Sequence, residues 1–238
     1  MINALKVEAF RAISNKEECL KYAQGHEDVL ASYGIKKITS SNNSWIEDEG
    51  VYVFTIKDSQ GCVLGGARIH IAGYLNPLPI QAAIEPIDPS IKGLIFAQGI
   101  NRVGEVCALW NSKAIAGKGI SYVLVRSCIA KCGIILANQL RLDRLLALCA
   151  PWTVKMFAGV GYKIYTDIGE EGTYPYPKPD LRATVMIVED PENIQLANAL
   201  DKEKIFDLRK NPVKDSLEKG PKGDFRLSYD LIIPALDI

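Results

Sequence analysis

One stretch constrains this chain more than any other. Glu105-Val-Cys-Ala-Leu-Trp110 runs into Asn111-Ser-Lys-Ala-Ile-Ala-Gly-Lys-Gly119, and Ile120 follows. Gly104 to Trp110 is mostly apolar and reads as a buried strand. Asn111 to Lys118 reads as a turn region. Gly119 opens a helix whose apolar positions 120, 123, 124, 128 and 129 carry it to about Gln139. The first turn of a helix presents N–H groups with no intrahelical acceptor and the positive end of the dipole. Glycines let an anion approach that backbone closely. The segment is therefore a candidate phosphate site, with a plain glycine-containing connector as the alternative. Two common phosphate motifs fail on it. A P-loop requires Gly where Ser112 stands and Ser or Thr where Gly119 stands, and the dinucleotide fingerprint requires Gly where Tyr122 stands.

The flanking sequence predicts an α/β domain with a mixed sheet and flanking helices. Residues 4 to 13 alternate as a first strand, and Ser14 or Asn15 caps a helix running to about Tyr33 and stopping at Gly34. Residues 38 to 50 read as a loop. Val51–Lys57 and Cys62–Ala72 form a hairpin around the turn Asp58–Gly61. Residues 73 to 102 hold four prolines and no long periodic pattern, so they read as a long loop, functional or poorly ordered. Leu142–Ala150 reads as a buried strand, and Pro151 starts a short helix ending near Gly159 and Gly161. Tyr162–Ile168 and Arg182–Glu189 read as strands, and 191 to 211 as an amphipathic helix. In the tail only Phe225–Pro234 looks strand-like.

Composition narrows the partners. The chain has 238 residues, with 28 basic and 28 acidic side chains, so no net field draws it to nucleic acid or to an anionic membrane. The first residues lack the basic and apolar regions of a secretory signal, and no stretch approaches the roughly 18 apolar residues of a spanning helix. Six cysteines among apolar neighbours read as free buried thiols in a reducing cytosol, which predicts a cytoplasmic protein. Cys128 and Cys132 are spaced for one helix face, but with only two histidines a zinc site lacks partners, and no metal is expected.

The strand–turn–helix segment resembles motif A of the GNAT superfamily of N-acetyltransferases, in which Arg/Gln-x-x-Gly-x-Gly/Ala links strand to helix. Gly117 and Gly119 match; Ala114 stands at the Arg/Gln position, beside Lys113. Leu145 through Tyr162 resembles the family's next strand, short helix and Gly-aromatic ending, with Gly161-Tyr162 for Gly-Phe. Phe10 to Glu18 resembles its first strand and helix. The resemblance spans roughly 4 to 190, and divides the chain into a GNAT-like domain, 1–190, and a C-terminal extension, 191–238, packing on it. Glu105 before motif A and the long extension also resemble the acyl-homoserine-lactone synthase branch, although Ala108 and Leu109 fill the region where that branch carries Arg.

The resemblance implies a mixed sheet that splays after its fourth strand and an acyl-coenzyme A co-substrate, acetyl or longer. The implied cofactor contacts are Leu109, Trp110 and Asn111 at the strand end, Ala114, Ile115, Ala116, Gly117, Lys118, Gly119 and Ile120 in the turn, and Lys155 on the following helix. It implies direct attack by the amine of a small molecule or peptide, with Glu105 as candidate base acting through water, and leaves a homodimer open. The family's usual acid, a Tyr before the Gly-aromatic pair, is Phe157 here; Tyr162, Tyr165 or water would have to replace it. Cys149 reads as packing rather than nucleophile, and His70 as structural or substrate-contacting. The alternative is a non-catalytic domain of the same fold that senses acyl-coenzyme A.

Overall fold

A computed structural model describes residues 5–35, 42–133 and 140–234. Its core is one ten-stranded mixed sheet in the order β6-β8-β5-β4-β3-β2-β1-β10-β9, with β7 also on β8. The strands are β1 (Leu5–Arg11), β2 (Val51–Lys57), β3 (Val63–Ile71), β4 (Val103–Asn111), β5 (Arg144–Cys149), β6 (Lys163–Ile164), β7 (Thr173–Pro175), β8 (Arg182–Val188), β9 (Val213–Glu218) and β10 (Phe225–Asp230). The helices are α1 (Lys16–Ser32), α2 (Pro79–Ile84), α3 (Ile91–Ile95), α4 (Ile120–Lys131), α5 (Pro151–Gly159) and α6 (Ala199–Lys210). Only β4–β5 and β1–β10 pair in parallel; the other pairs are antiparallel. The helices α4, α5 and α6 bury one face of the sheet, and α1, α2 and α3 the other.

The alternation of β1 explains its place: Leu5, Val7 and Ala9 are buried while Lys6 and Glu8 reach solvent. Asn15 caps α1 by accepting from the Glu18 N–H at 3.2 Å, with Glu17 and Glu18 in the positive first turn. All six cysteines are free thiols. No helix among the described residues is long and apolar enough to cross a membrane.

Four sequence expectations change. The region 73 to 102 is not a loop throughout: α2 and α3 bury Leu78, Ile80, Ile84, Ile91, Leu94 and Ile95 against Leu146, Val185 and Ile187. Its prolines hid short helices, since Pro79 sits in the first turn of α2, where its missing N–H costs nothing. The helix read to Gln139 ends at Lys131, and 134–139 lie outside the described residues. The strand read over 162 to 168 is two residues, Lys163–Ile164, beyond which the chain turns. The helix read from 191 begins at Ala199, where Asn198 accepts from the Asp201 N–H at 2.9 Å. The preceding turn is pinned from below by Arg209, which donates to the carbonyls of Pro191 and Glu192. Strands β7 and β9 were not foreseen. Of these, β9 is an edge strand whose polar Lys214, Asp215 and Ser216 carry no apolar period.

One close approach fixes β4 against α1. A Cβ on Gly25 would lie 2.1 Å from the Trp110 indole. Gly25→Ala is expected to lower the unfolding free energy by about 1–2 kcal/mol, because the overpacking exceeds the roughly 1 kcal/mol gain in helix propensity. Urea unfolding followed by tryptophan fluorescence checks it.

Candidate functional site

The site grows from the way β4 treats its two neighbours. On one side it follows β3, with Ile69↔Val106, Arg68↔Cys107 and Gly66↔Trp110 in register. Between the last two pairs β3 advances two residues and β4 three, so β4 carries an extra residue, a β-bulge. The bulge falls at Ala108, whose φ is +48°. On the other side β4 pairs with β5 only over Val103–Glu105, opposite Arg144–Leu146. Past Glu105 the two strands separate.

The bulge is held by α1. The Tyr22 hydroxyl donates to the Ala108 carbonyl, and the Tyr22 ring packs edge-on to Trp110 and Trp45, each at 5.9 Å. Where β4 and β5 part, a channel of about 210 Å3 opens. Val106 to Leu109 line it from β4, Leu148, Ala150, Trp152 and Thr153 from β5 and the start of α5, with Phe157 of α5 and His26 and Leu30 of α1 also on its wall.

The far end of β4 leads into the glycine turn before α4. Ser112 N–H donates to the Leu64 carbonyl at 2.7 Å, Asn111 Nδ2 to Ser121 Oγ at 2.6 Å, and Ile115 is fully buried. These anchors set Gly117 and Gly119 at φ +76° and +84°, a left-handed region that L side chains avoid. Gly119 is the N-cap of α4 and supplies no side chain to it, so the first-turn N–H groups of α4 have no side-chain cap there. Lys222, from the turn between β9 and β10, reaches this loop and donates to the Ala116 carbonyl at 2.9 Å.

The residues expected from sequence divide by burial. Ala114, Ala116, Gly117, Lys118 and Gly119 form the accessible turn. Trp110, Ile115 and Ile120 are core side chains, so only their backbone can face a ligand. Leu109 lines the channel, and Lys155 is exposed on α5. Glu105 is not a solvated residue at a strand start. It is 2% exposed, lies across from His70, and its Oε2 accepts from the Ile80 N–H at 2.8 Å. Burial pushes its carboxyl up to about 8, against the downward pull of the Ile80 bond and Arg68. Burial, with Arg68 adding to it, holds the His70 imidazole well below its usual range. Cys149 is buried, its thiol pushed up to about 12 by burial. Phe157 packs edge-on against Tyr162 at 5.0 Å, and the Tyr162 hydroxyl has no hydrogen-bond partner among the described residues.

Sequence reading missed Tyr22, Arg68 and His26. Arg68 is 1% exposed, with its guanidinium 4.1 Å from the Trp45 ring and 5.6 Å from that of Tyr22. The available signal was a charged residue inside the strand pattern of β3, at the same parity as His70.

No family profile matches this chain, and no curated protein matches it by sequence. Solved structures do match. FeeM, an N-acyl amino acid synthase from uncultured soil microbes, has a TM-score of 0.59 at 14% identity, over 84% of this chain and 97% of its own. BjaI, a coenzyme A-dependent acyl-homoserine lactone synthase solved with S-adenosylmethionine and isopentyl-coenzyme A, has a TM-score of 0.55 at 11% identity, over 98% of this chain and 96% of its own. MesI, another synthase of that kind, has 0.52 at 10% identity, over 86% and 95%. The chain has the GNAT fold. The BjaI likeness covers 98% of this chain and so takes in the C-terminal strands.

Glu105 makes a measurable prediction. Near and below its ordinary value of 4.5 both folded and unfolded chains hold the proton. Between there and about 8 the unfolded chain releases it and the folded chain does not, so the folded state binds more protons and stability falls as pH rises. Above about 8 the loss is complete. Glu105→Gln is expected to flatten that decline, and urea midpoints at pH 5 and pH 8 for both proteins check it.

Proposed function

We propose that this chain is an acyl-coenzyme A-dependent N-acyltransferase whose acceptor is the amine of a small molecule or peptide. The observation that carries the reading is the coupling of two features in one strand. β4 parts from β5 beside a bulge, and its far end delivers two left-handed glycines to the uncapped start of α4. The first offers an unpaired strand edge to a pantetheine arm; the second offers backbone N–H groups to a pyrophosphate.

In this reading the diphosphate sits on Ala116–Gly119, with Lys118 and Lys222 nearby, and the thioester lies in the channel beside Leu109. Backbone N–H groups around the bulge polarise the thioester carbonyl. The amine nitrogen attacks the carbonyl carbon, the C–S bond breaks, and coenzyme A leaves as the thiolate, which takes its proton from water. Positioning supplies most of the acceleration. The proton leaving the amine passes to Glu105 through water. A carboxylate with affinity near 8 is a strong base once ionised, so the rate should rise with pH through that value. The sensor reading has its own support: Phe157 stands where such enzymes carry an acid, and the Tyr162 hydroxyl is sealed in the core.

Two experiments test the proposal. Calorimetry with coenzyme A should show binding to the wild-type chain and none to Gly117→Asp, which puts a carboxylate where the diphosphate belongs. Equal binding by both would reduce the turn to a connector. With an amine panel, Glu105→Gln should lower transfer about 10²-fold with little change in donor affinity. Turnover at the wild-type rate would place the base elsewhere, and binding without any turnover would favour the sensor.

A further inference from the structure

Glu105 holds its proton near neutral pH, so a base at this position has to be emptied after each turnover. It has no direct route to solvent: it is 2% exposed, and the Ile80 N–H at the start of α2 covers its Oε2. Its polar neighbour is His70. The two residues are directly opposite in the antiparallel register of β3 and β4. That pairing puts both side chains on one face, with Cβ atoms roughly 4.5–5.5 Å apart.

The His70 ring is itself incompletely bonded. Its Nε2 is sealed from solvent and has no hydrogen-bond partner among the described residues. A buried polar atom in that state is costly and calls for an explanation. The proton donor that the register sets beside it is the Glu105 carboxyl. On its other side His70 borders a cavity of about 50 Å3, more than the roughly 10–15 Å3 that one water needs. Trp45, Pro79 and Ala82 enclose this cavity, and Asn42 and Pro77, both exposed, lead from it to the surface. Glu105 does not line it; His70 neighbours both. The Arg68 guanidinium on the same wall opposes a positive charge on the ring.

Resting on the acyltransferase reading with Glu105 as base, we propose that His70 carries the proton from Glu105 to water in this cavity, and so to solvent. The Glu105 carboxyl gives its proton to Nε2 while Nδ1 gives its own to the cavity water, so the ring never holds both. Glu105 is again a carboxylate, and the proton taken from the amine has left the site. A half-turn of the ring about Cβ–Cγ returns a bare nitrogen to Glu105. His70 touches neither donor nor acceptor in this scheme and acts only through Glu105.

Two variants and one structure test it. His70→Gln keeps a polar side chain that cannot pass a proton through itself, and His70→Ala leaves room for a free ring. With an acceptor from the amine panel, each should lower kcat about 10²-fold while the KM for the donor holds. Imidazole in the buffer should restore turnover to His70→Ala and not to His70→Gln. Pyrazole, of the same shape but hardly basic, should restore neither. Rescue by pyrazole as well would make the ring a space filler, and wild-type turnover by His70→Gln would put the exit elsewhere; either result overturns the relay and leaves the acyltransferase reading standing. If the wild-type chain acylates no amine, both fall. A crystal structure of the wild-type chain supplies a check that needs neither variant nor acceptor: it should show a water within hydrogen-bond distance of His70 Nδ1, and a dry cavity overturns the relay.

Discussion

The conformation of Ala108 is the constraint on which the rest of the site depends. A non-glycine residue at φ +48° is strained by roughly 1–2 kcal/mol, so the surroundings must impose it. They do so through the Tyr22 hydroxyl on the Ala108 carbonyl, and through Trp110, whose indole fills the space left by the missing side chain of Gly25. The extra residue changes the parity of β4. Glu105 and Cys107 face α1 by strict alternation, and Trp110 would then face α4; the bulge returns it to the α1 side, where it meets Tyr22. Leu109 is thereby left to the opposite core. The same kink turns β4 off the line of β5, so the opening of the channel and the seating of Trp110 are one event.

Beneath the bulge lies a row of buried ionisable groups: Arg68, His70 and Glu105. A buried row of this kind holds together only if most of it is uncharged. The directions of titration agree: burial raises the carboxyl and lowers the imidazole, leaving both neutral near pH 7. The flat guanidinium of Arg68 rests on Trp45 and near Tyr22, where ring faces replace part of the lost water. Burial depresses His26, whose imidazole borders the channel, and the Arg68 guanidinium adds to it.

What the sequence revealed follows from which signals are local. The glycine turn before α4 was legible because Gly117 and Gly119 need a conformation that few other residues adopt, and because the apolar period restarts at Ile120. Strands β2, β3 and β8 were legible from β-branched runs buried on both faces. The bulge was not, since Ala108 has no bulge signature and its partner Tyr22 lies 86 residues away. Glu105 drew notice by its place before the turn, but its burial, unread from the sequence, depends on α2, folded from a segment whose prolines suggested a loop. Strand β9 escaped because its neighbours supply the pairing its own composition does not advertise.

The C-terminal strands make the extension part of the same sheet. β10 lies parallel to β1, with Leu5↔Leu227 and Val7↔Tyr229 in register, and β9 closes that edge. At the end of β9, Glu218 is 4% exposed and accepts from Arg126 of α4, Lys204 of α6 and the Tyr229 hydroxyl. Burial raises that carboxyl, but Lys204 and Arg126 outweigh it and hold it ionised below the usual range. Deleting one member of such a buried set leaves a charge without compensation, at a cost of about 3–5 kcal/mol. Arg126 lies two turns into α4, and the β9–β10 turn sends Lys222 back to Ala116 just before the helix starts. The extension therefore grips α4 from both sides of its N-terminus, and the direction in which that N-terminus points is fixed by residues nearly a hundred positions downstream.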